Sequence, residues 1–341
     1  MKTDRKSKFI FAAVAVVCGL AGLFFLNRPG ERFSQTRTFP MMGTVGRITV
    51  FSDRESLPEK VLDQIQQSIG SIEKTCNVFD PGSELSRLNG SAHKQEFVCS
   101  PLLWEMIGAA DRYCRLTGGA YDPSVRPLMK LWGFHRKRKA LPTAAEIREV
   151  MKKVGWSKVK LDPEKRSVRF TAEGLELDFG GLAKGFALEK AMEIAREAGV
   201  GRAIFDLGGN IGCLAPEKRG AFRIGIRDPE SPSEILGTVE MRDSCVATSG
   251  NYERYVIIEG KTYAHIMDPL TGMPVSGMLS ATVVTPRGTD SDALSTAVFV
   301  RGESFAEEIC RKIPGTGVLI VRRAEKEPGG RKILRFGSLV R

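Results

Sequence analysis

Apolar residues recur along this chain in two rhythms, one helical and one alternating. Val61, Leu62, Ile65, Ile69 and Ile72 fall at three- and four-residue steps, which predicts an amphipathic helix over 58–75 that stops before the Asp80-Pro81-Gly82 turn. Leu102, Leu103, Met106, Ile107, Ala110 and Tyr113 predict a second over 101–116, ended by Thr117-Gly118-Gly119. Thr143 and Glu146 form a capping box for a third, running to about Val154. Later helices are expected over 292–300 and 304–312. The alternating rhythm predicts strands over 38–50 after a Gly-containing turn, a hairpin of 159–161 with 167–170, and strands over 203–207, 222–226, 238–241, 255–258 and 280–284. A closing strand pair is expected at 318–321 and 332–336. At 177–190 the two rhythms meet: Leu175, Leu177 and Phe179 alternate with Glu176 and Asp178, then Gly180-Gly181 leads into a helix carrying Leu182, Phe186, Ile194 and Ala195. Hairpins mixed with helices, without regular alternation, predict an α+β fold with mixed or antiparallel sheets.

The start of the chain has a different character. Lys2, Arg5, Lys6 and Lys8 precede a stretch over 9–26 that carries no charge. Residues 1–29 are therefore expected to be a membrane anchor or a signal segment. An uncleaved anchor is favoured, because the apolar run is long and no A-x-A cleavage site follows it. The basic flank should stay cytoplasmic, which places the rest on the periplasmic side of the inner membrane. Residues 30–37 read as a polar linker and 38–341 as the globular domain.

Composition narrows the classes. The 341 residues, 42% of them hydrophobic, suffice for a sizeable core. A formal net charge of +11 suits an anionic ligand or a membrane surface. Nucleic acid is not expected, since aromatic and basic residues are not interleaved. Seven cysteines without a C-x-x-C, and only three histidines, argue against a zinc site.

Several short constellations carry chemistry. At the 177–190 junction Asp178, two glycines and Lys184 come to one point, and helix starts with nearby glycines favour anions. Asp178-Phe179-Gly180 spells a kinase metal motif but lacks its companions. Gly208-Gly209 misses the dinucleotide spacing. On a helix Asp292, Ser295 and Thr296 share one face, and such oxygens suit a hard cation such as magnesium; the alternative is an N-cap with solvated hydroxyls. His265, before Asp268-Pro269-Leu270-Thr271-Gly272, is either an acid–base group or a structural histidine.

Taken in order, these pieces resemble the FAD:protein FMN transferases, the ApbE-like flavin transferases. The resemblance covers about 38–320. It rests on Met42-Gly43-Thr44, Phe79-Asp80-Pro81-Gly82-Ser83-Glu84, Gly118-Gly119-Ala120-Tyr121-Asp122-Pro123 with Leu131-Trp132-Gly133-Phe134, and the stretch from Asp178 to Gly185. It continues through Asp206-Leu207-Gly208-Gly209-Asn210, Ala247-Thr248-Ser249-Gly250-Asn251-Tyr252, His265-Ile266-Met267-Asp268-Pro269 and Asp292 to Thr296. Each motif is short; the order of all eight is what carries the likeness.

That resemblance implies an ApbE-like α+β enzyme that uses magnesium and moves FMN from FAD to a threonine hydroxyl of an acceptor flavoprotein, releasing AMP. By position, Met42, Phe79, Ala120, Tyr121, Asp122, Asp178, Lys184 and Ile266 would contact FAD. The Gly181 carbonyl, Asp292 and Thr296 would hold the metal, with Ser295 adding a backbone oxygen, and His265 would activate the acceptor hydroxyl. Phe79 stands where many members have Tyr, and Gly181 where Ala or Ser is common. Subunits of sodium-pumping quinone reductase or Rnf-type complexes are the kind of acceptor implied. An FAD pyrophosphatase giving free FMN and AMP, or a flavin-binding protein without chemistry, would use the same motifs.

Overall fold

The computed structural model describes residues 32–231 and 233–338. The chain starts with a hairpin of β1 (Phe33–Met41) and β2 (Thr44–Ser52). Its two turn residues, Met42 and Gly43, have φ of 44° and 72°, the positive values a two-residue hairpin turn needs to match strand twist. Met42 has no glycine freedom; its N–H is held by Glu73 Oε1 at 2.8 Å. The helices α1 (Leu57–Cys76), α2 (Glu84–Ser91) and α3 (Pro101–Leu116) follow, with β3 (Phe97–Val98) between the last two. A short 3-10 turn then runs into α4 (Arg126–Leu131), followed by α5 (Ala144–Met151), whose Thr143–Glu146 capping box is present. Next come β4 (Val159–Asp162), β5 (Ser167–Phe170) and α6 (Ala183–Glu197). The second half holds β6 (Arg202–Leu207), β7 (Asn210–Leu214), β8 (Phe222–Arg227), β9 (Ile235–Met241), β10 (Ser244–Gly250), β11 (Tyr255–Ile258), β12 (Lys261–Ala264) and β13 (Met278–Thr285). It closes with α7 (Gly288–Arg301), α8 (Glu303–Lys312), β14 (Gly317–Arg323) and β15 (Arg331–Gly337).

Eight strands form one antiparallel sheet in the order β1-β2-β6-β7-β10-β13-β14-β15. Helices α1, α6, α7 and α8 cover one face. The β8–β9 hairpin covers part of the other, where Phe222, Ile224, Ile226 and Met241 meet Phe51, Val246 and Leu319. With both faces covered, β13 is buried almost throughout, as its unbroken run of apolar and small residues requires. The expected α+β class with antiparallel pairing is what forms.

Four expectations need correction. The stretch read as a linker up to residue 37 is strand from Phe33, paired to β2 along its length; its polar residues are the outward half of an edge strand. Residues 175–179 alternate as expected, with Leu175, Leu177 and Phe179 buried, yet form no ladder. Instead the Asn89 side chain replaces a neighbouring strand: it donates to Leu177 O at 2.9 Å and accepts Leu177 N–H at 2.8 Å. The Asp178 N–H goes to Pro123 O at 2.8 Å. Helix α7 starts at Gly288, four residues before Asp292. Finally, β7, β10 and β12 carry too many polar or small residues to stand out as strands. The reason is local for β7, where a Cβ at Gly212 would lie 2.5 Å from Met192 Sδ of α6.

The expected membrane segment, 1–29, lies outside the described residues. Among the described residues no helix is long and apolar enough to cross a membrane, and the six cysteines described are all free.

Candidate active site

The residues predicted to hold a metal gather where the start of α6 meets the first half of α7. The two helices approach closely: a Cβ at Gly185 would sit 2.4 Å from both Gly288 O and Asp292 Cβ. This closeness lets Asp292 Oδ2 accept the Gly185 N–H at 2.7 Å. In the turn just before α6, the Gly181 backbone faces Thr296, whose Oγ1 would lie 3.0 Å from a Cβ at that glycine. Asp292, Ser295 and Thr296 lie inside α7, so the N-cap alternative fails.

Hydroxyl groups line this seam. Ser295 Oγ donates to Asp292 O at 2.9 Å and lies 2.9 Å from Ser249 Oγ, which is also 3.4 Å from Thr296 Oγ1. Ser249 comes from β10. It stands in the Ala247-Thr248-Ser249-Gly250-Asn251-Tyr252 stretch that carries part of the family likeness. Its actual partners are hydroxyls.

Two observations favour a ligand here. Tyr121 is buried beside Gly181, its Cε2 3.6 Å from a Cβ placed there, and its hydroxyl has no partner among the described residues. Burial pushes its phenol well above the usual range, so it remains a donor in want of an acceptor. The second is the donor set. A carboxylate oxygen of Asp292 not used by Gly185, the Thr296 hydroxyl and the Gly181 carbonyl are hard oxygen donors of the kind magnesium takes along with water and phosphate. No cluster of three or more His, Cys, Asp or Glu occurs among the described residues. A cation here would therefore rely on one carboxylate and on phosphate oxygens of its ligand.

Lys184, in the first turn of α6, is half-buried and makes no hydrogen bond or ion pair among the described residues. Its charge bears on both Asp206 and His265. His265 follows β12 and is partly buried. Its Nδ1 lies 3.0 Å from Arg254 O, and its own N–H donates to the same carbonyl at 3.1 Å. A carbonyl can only accept, so Nδ1 carries the proton and Nε2 keeps the lone pair. Burial and the Arg254 charge lower the His265 pKa from its usual 6.5 to about 4. The imidazole is thus neutral near pH 7. Beside it Ile266 is buried.

The other predicted flavin contacts form a second wall. Asp178 Oδ1 accepts Gly180 N–H at 2.9 Å and Oδ2 accepts from Arg126 at 3.1 Å. Phe79 is 63% exposed, with the Arg126 guanidinium 5.5 Å from its ring centre and the His135 ring at 5.4 Å. Its exposure makes it a free aromatic face, not core. Ala120 is buried. Asp122 is nearly so, and its two oxygens accept Ser124 N–H and Trp156 N–H, both at 2.8 Å. Desolvation raises its pKa against those bonds. Its side chain is therefore occupied in joining two loops. Arg126 and Glu73, which organise this wall, went unnoticed in the sequence. A buried arginine among apolar neighbours in Tyr121-Asp122-Pro123-Ser124-Val125-Arg126-Pro127 was the available signal.

Comparison with known proteins identifies the family. Residues 42–320 match the model of the ApbE family. The chain is 29% identical over 334 residues to the FAD:protein FMN transferase of Treponema pallidum, covering 93% of this chain and 92% of that one. It is 30% identical to the FAD:protein FMN transferase of Klebsiella pneumoniae, over 77% and 81% of the two chains. Among solved structures, the ApbE protein of Thermotoga maritima superposes with a TM-score of 0.80 at 30% identity, covering 89% of this chain and 97% of that one.

Proposed function

The chain belongs to the ApbE family, and from that premise we propose that it is an FAD:protein FMN transferase acting on a threonine hydroxyl and releasing AMP. The observation that carries the reading is the seam itself: Asp292, Thr296 and the Gly181 backbone meet on one side, with the unpaired Lys184 and a neutral His265 in the same neighbourhood.

A threonine hydroxyl is a poor nucleophile near pH 7 and needs a base within hydrogen-bond reach. His265 Nε2 takes its proton, Nδ1 being fixed by Arg254 O. The threonine oxygen attacks the phosphorus of the FMN half of FAD. The bond from that phosphorus to the bridging oxygen breaks, and AMP leaves with the oxygen and its electron pair. Lys184 offsets the negative charge on the pyrophosphate. Magnesium held by the Gly181 carbonyl, Asp292 and Thr296, with Ser295 closing the helix turn behind them, would draw further charge from the phosphate oxygens. The Phe79 face, Met42, Ala120, Tyr121, Asp122, Asp178 and Ile266 would hold the rest of the dinucleotide.

The acceptors are separate exported flavoproteins, of which subunits of sodium-pumping quinone reductase or Rnf-type complexes are the type. The catalytic domain is placed on the periplasmic side, tethered to the inner membrane by 1–29. Support comes from the basic flank followed by the uncharged run over 9–26. A C-terminal reporter active only in the cytosol should stay silent; activity would overturn the orientation.

AMP release from FAD and magnesium, measured with and without an acceptor domain, tests the activity. Release that depends on acceptor supports transfer. Equal release in both cases makes the protein a pyrophosphatase, and none a flavin-binding protein.

A further inference from the structure

Arg126 is 7% exposed and holds two different segments at once, through three hydrogen bonds. Its Nε donates to Glu176 Oε2 at 2.9 Å, one terminal nitrogen to Asp178 Oδ2 at 3.1 Å and the other to Val78 O at 3.1 Å. Its guanidinium carbon lies 5.5 Å from the centre of the Phe79 ring. Glu176 and Asp178 are the two outward carboxylates of the unpaired 175–179 segment. Val78 and Phe79 belong to the connection between α1 and α2. Those two segments have no strand ladder between them, and the guanidinium fork is what spans them.

We propose that Arg126 is a positioning residue that sets the gap between the Phe79 ring and Asp178, and through that gap the affinity for the dinucleotide. This rests on the transferase reading of the site. Two physical effects combine. A planar fork fixes direction as well as distance, which a lysine ammonium cannot do. It also neutralises Asp178, whose side chain is 23% exposed and, on the transferase reading, contacts the anionic dinucleotide. With Lys130 on Glu176 as well, two cations balance two carboxylates at this wall. Without Arg126, Asp178 would face the ligand as an uncompensated negative charge and Phe79 would lose its backing.

The prediction is a split between binding and chemistry. Arg126→Met and Arg126→Lys should each raise the Kd for FAD, read by flavin fluorescence, and the KM for FAD in transfer. The expected rise is about tenfold or more for Met, the range covered by one charge-assisted hydrogen bond. The rise should be smaller for Lys, which restores charge without the fork. The fall in kcat at saturating FAD should stay under about threefold. A Kd equal to wild type in both variants, or a loss confined to kcat, overturns the proposal. Should both variants fail to fold, Phe79→Ala and Asp178→Asn leave Arg126 in place. Coupled through it, their effects on Kd should be non-additive by about threefold or more, and additive effects overturn the proposal. A wild-type protein that binds FAD but transfers nothing refutes the transferase reading, while the binding data still judge Arg126.

Discussion

Asp292 accepts the backbone N–H of Gly185 at 2.7 Å, across the closest approach of α6 and α7. One bond thus fixes the helix crossing and aims the carboxylate. The second oxygen of Asp292 makes no hydrogen bond among the described residues and is the one that the proposed cation would use, beside Thr296 and the Gly181 backbone.

Gly185→Ala tests the closeness of that crossing. The added methyl would lie 2.4 Å from Gly288 O, which is backbone and cannot swing away. Overpacking of this kind costs about 1–3 kcal/mol. A fall in the chemical-denaturation midpoint of that size is expected, together with weaker magnesium activation because Asp292 is displaced. A variant as stable and as active as wild type would show that the helices are not so closely seated.

Asp292→Asn separates structure from metal binding. The amide oxygen can still accept the Gly185 N–H, so the protein should melt near the wild-type temperature. The lost charge should leave a low residual activity that added magnesium does not restore. A wild-type magnesium titration would refute the metal assignment.

His265 gives two pH signatures. With a folded pKa of about 4, the base form of the free enzyme persists through neutral pH. Hence kcat/KM should show no acid limb near 6.5 from this residue. For stability the sign follows from the same values. The unfolded chain binds a proton at about 6.5 and the fold resists it until about 4, so His265 costs stability progressively as pH falls from 6.5 toward 4. His265→Ala should remove that slope, lower transfer about 10²–10⁴-fold and still bind FAD. Unchanged transfer would eliminate it as the base.

Asn89→Ala tests the replacement for a missing strand. It would leave the N–H and C=O of buried Leu177 without partners, at about 1–3 kcal/mol for each unsatisfied group. The variant should be destabilised by at least that amount and should bind FAD more weakly, since the same segment carries Asp178. An effect within the noise of a melting curve would mean that water or the backbone supplies these bonds.

Much of this was legible in the sequence where a face was cleanly divided. The helices over 57–76 and 101–116 follow from their apolar stripes, and the Thr143–Glu146 box marks a helix start that is observed. What escaped was whatever depended on a distant partner. Residues 175–179 have strand periodicity but find a side chain, Asn89, where a strand was expected. Strand β10 is polar on both faces near its end, because Thr248 pairs with Thr282 of β13 and Ser249, on the opposite face, with Ser295 of α7. Gly185 and Gly288 are small because a helix lies against each. At the site, individual residues could be named from short motifs, whereas the Arg126 fork and the Ser249 bridge join residues 48 to 52 and 46 positions apart.

The most direct test of the account is the intact mass of an acceptor domain after incubation with this protein, FAD and magnesium. One added FMN phosphoester is expected, mapped to a threonine, with one AMP formed per modified acceptor and far less adduct over the same time when Asp292→Asn or His265→Ala replaces the wild type. An unmodified acceptor alongside free FMN and AMP would contradict it.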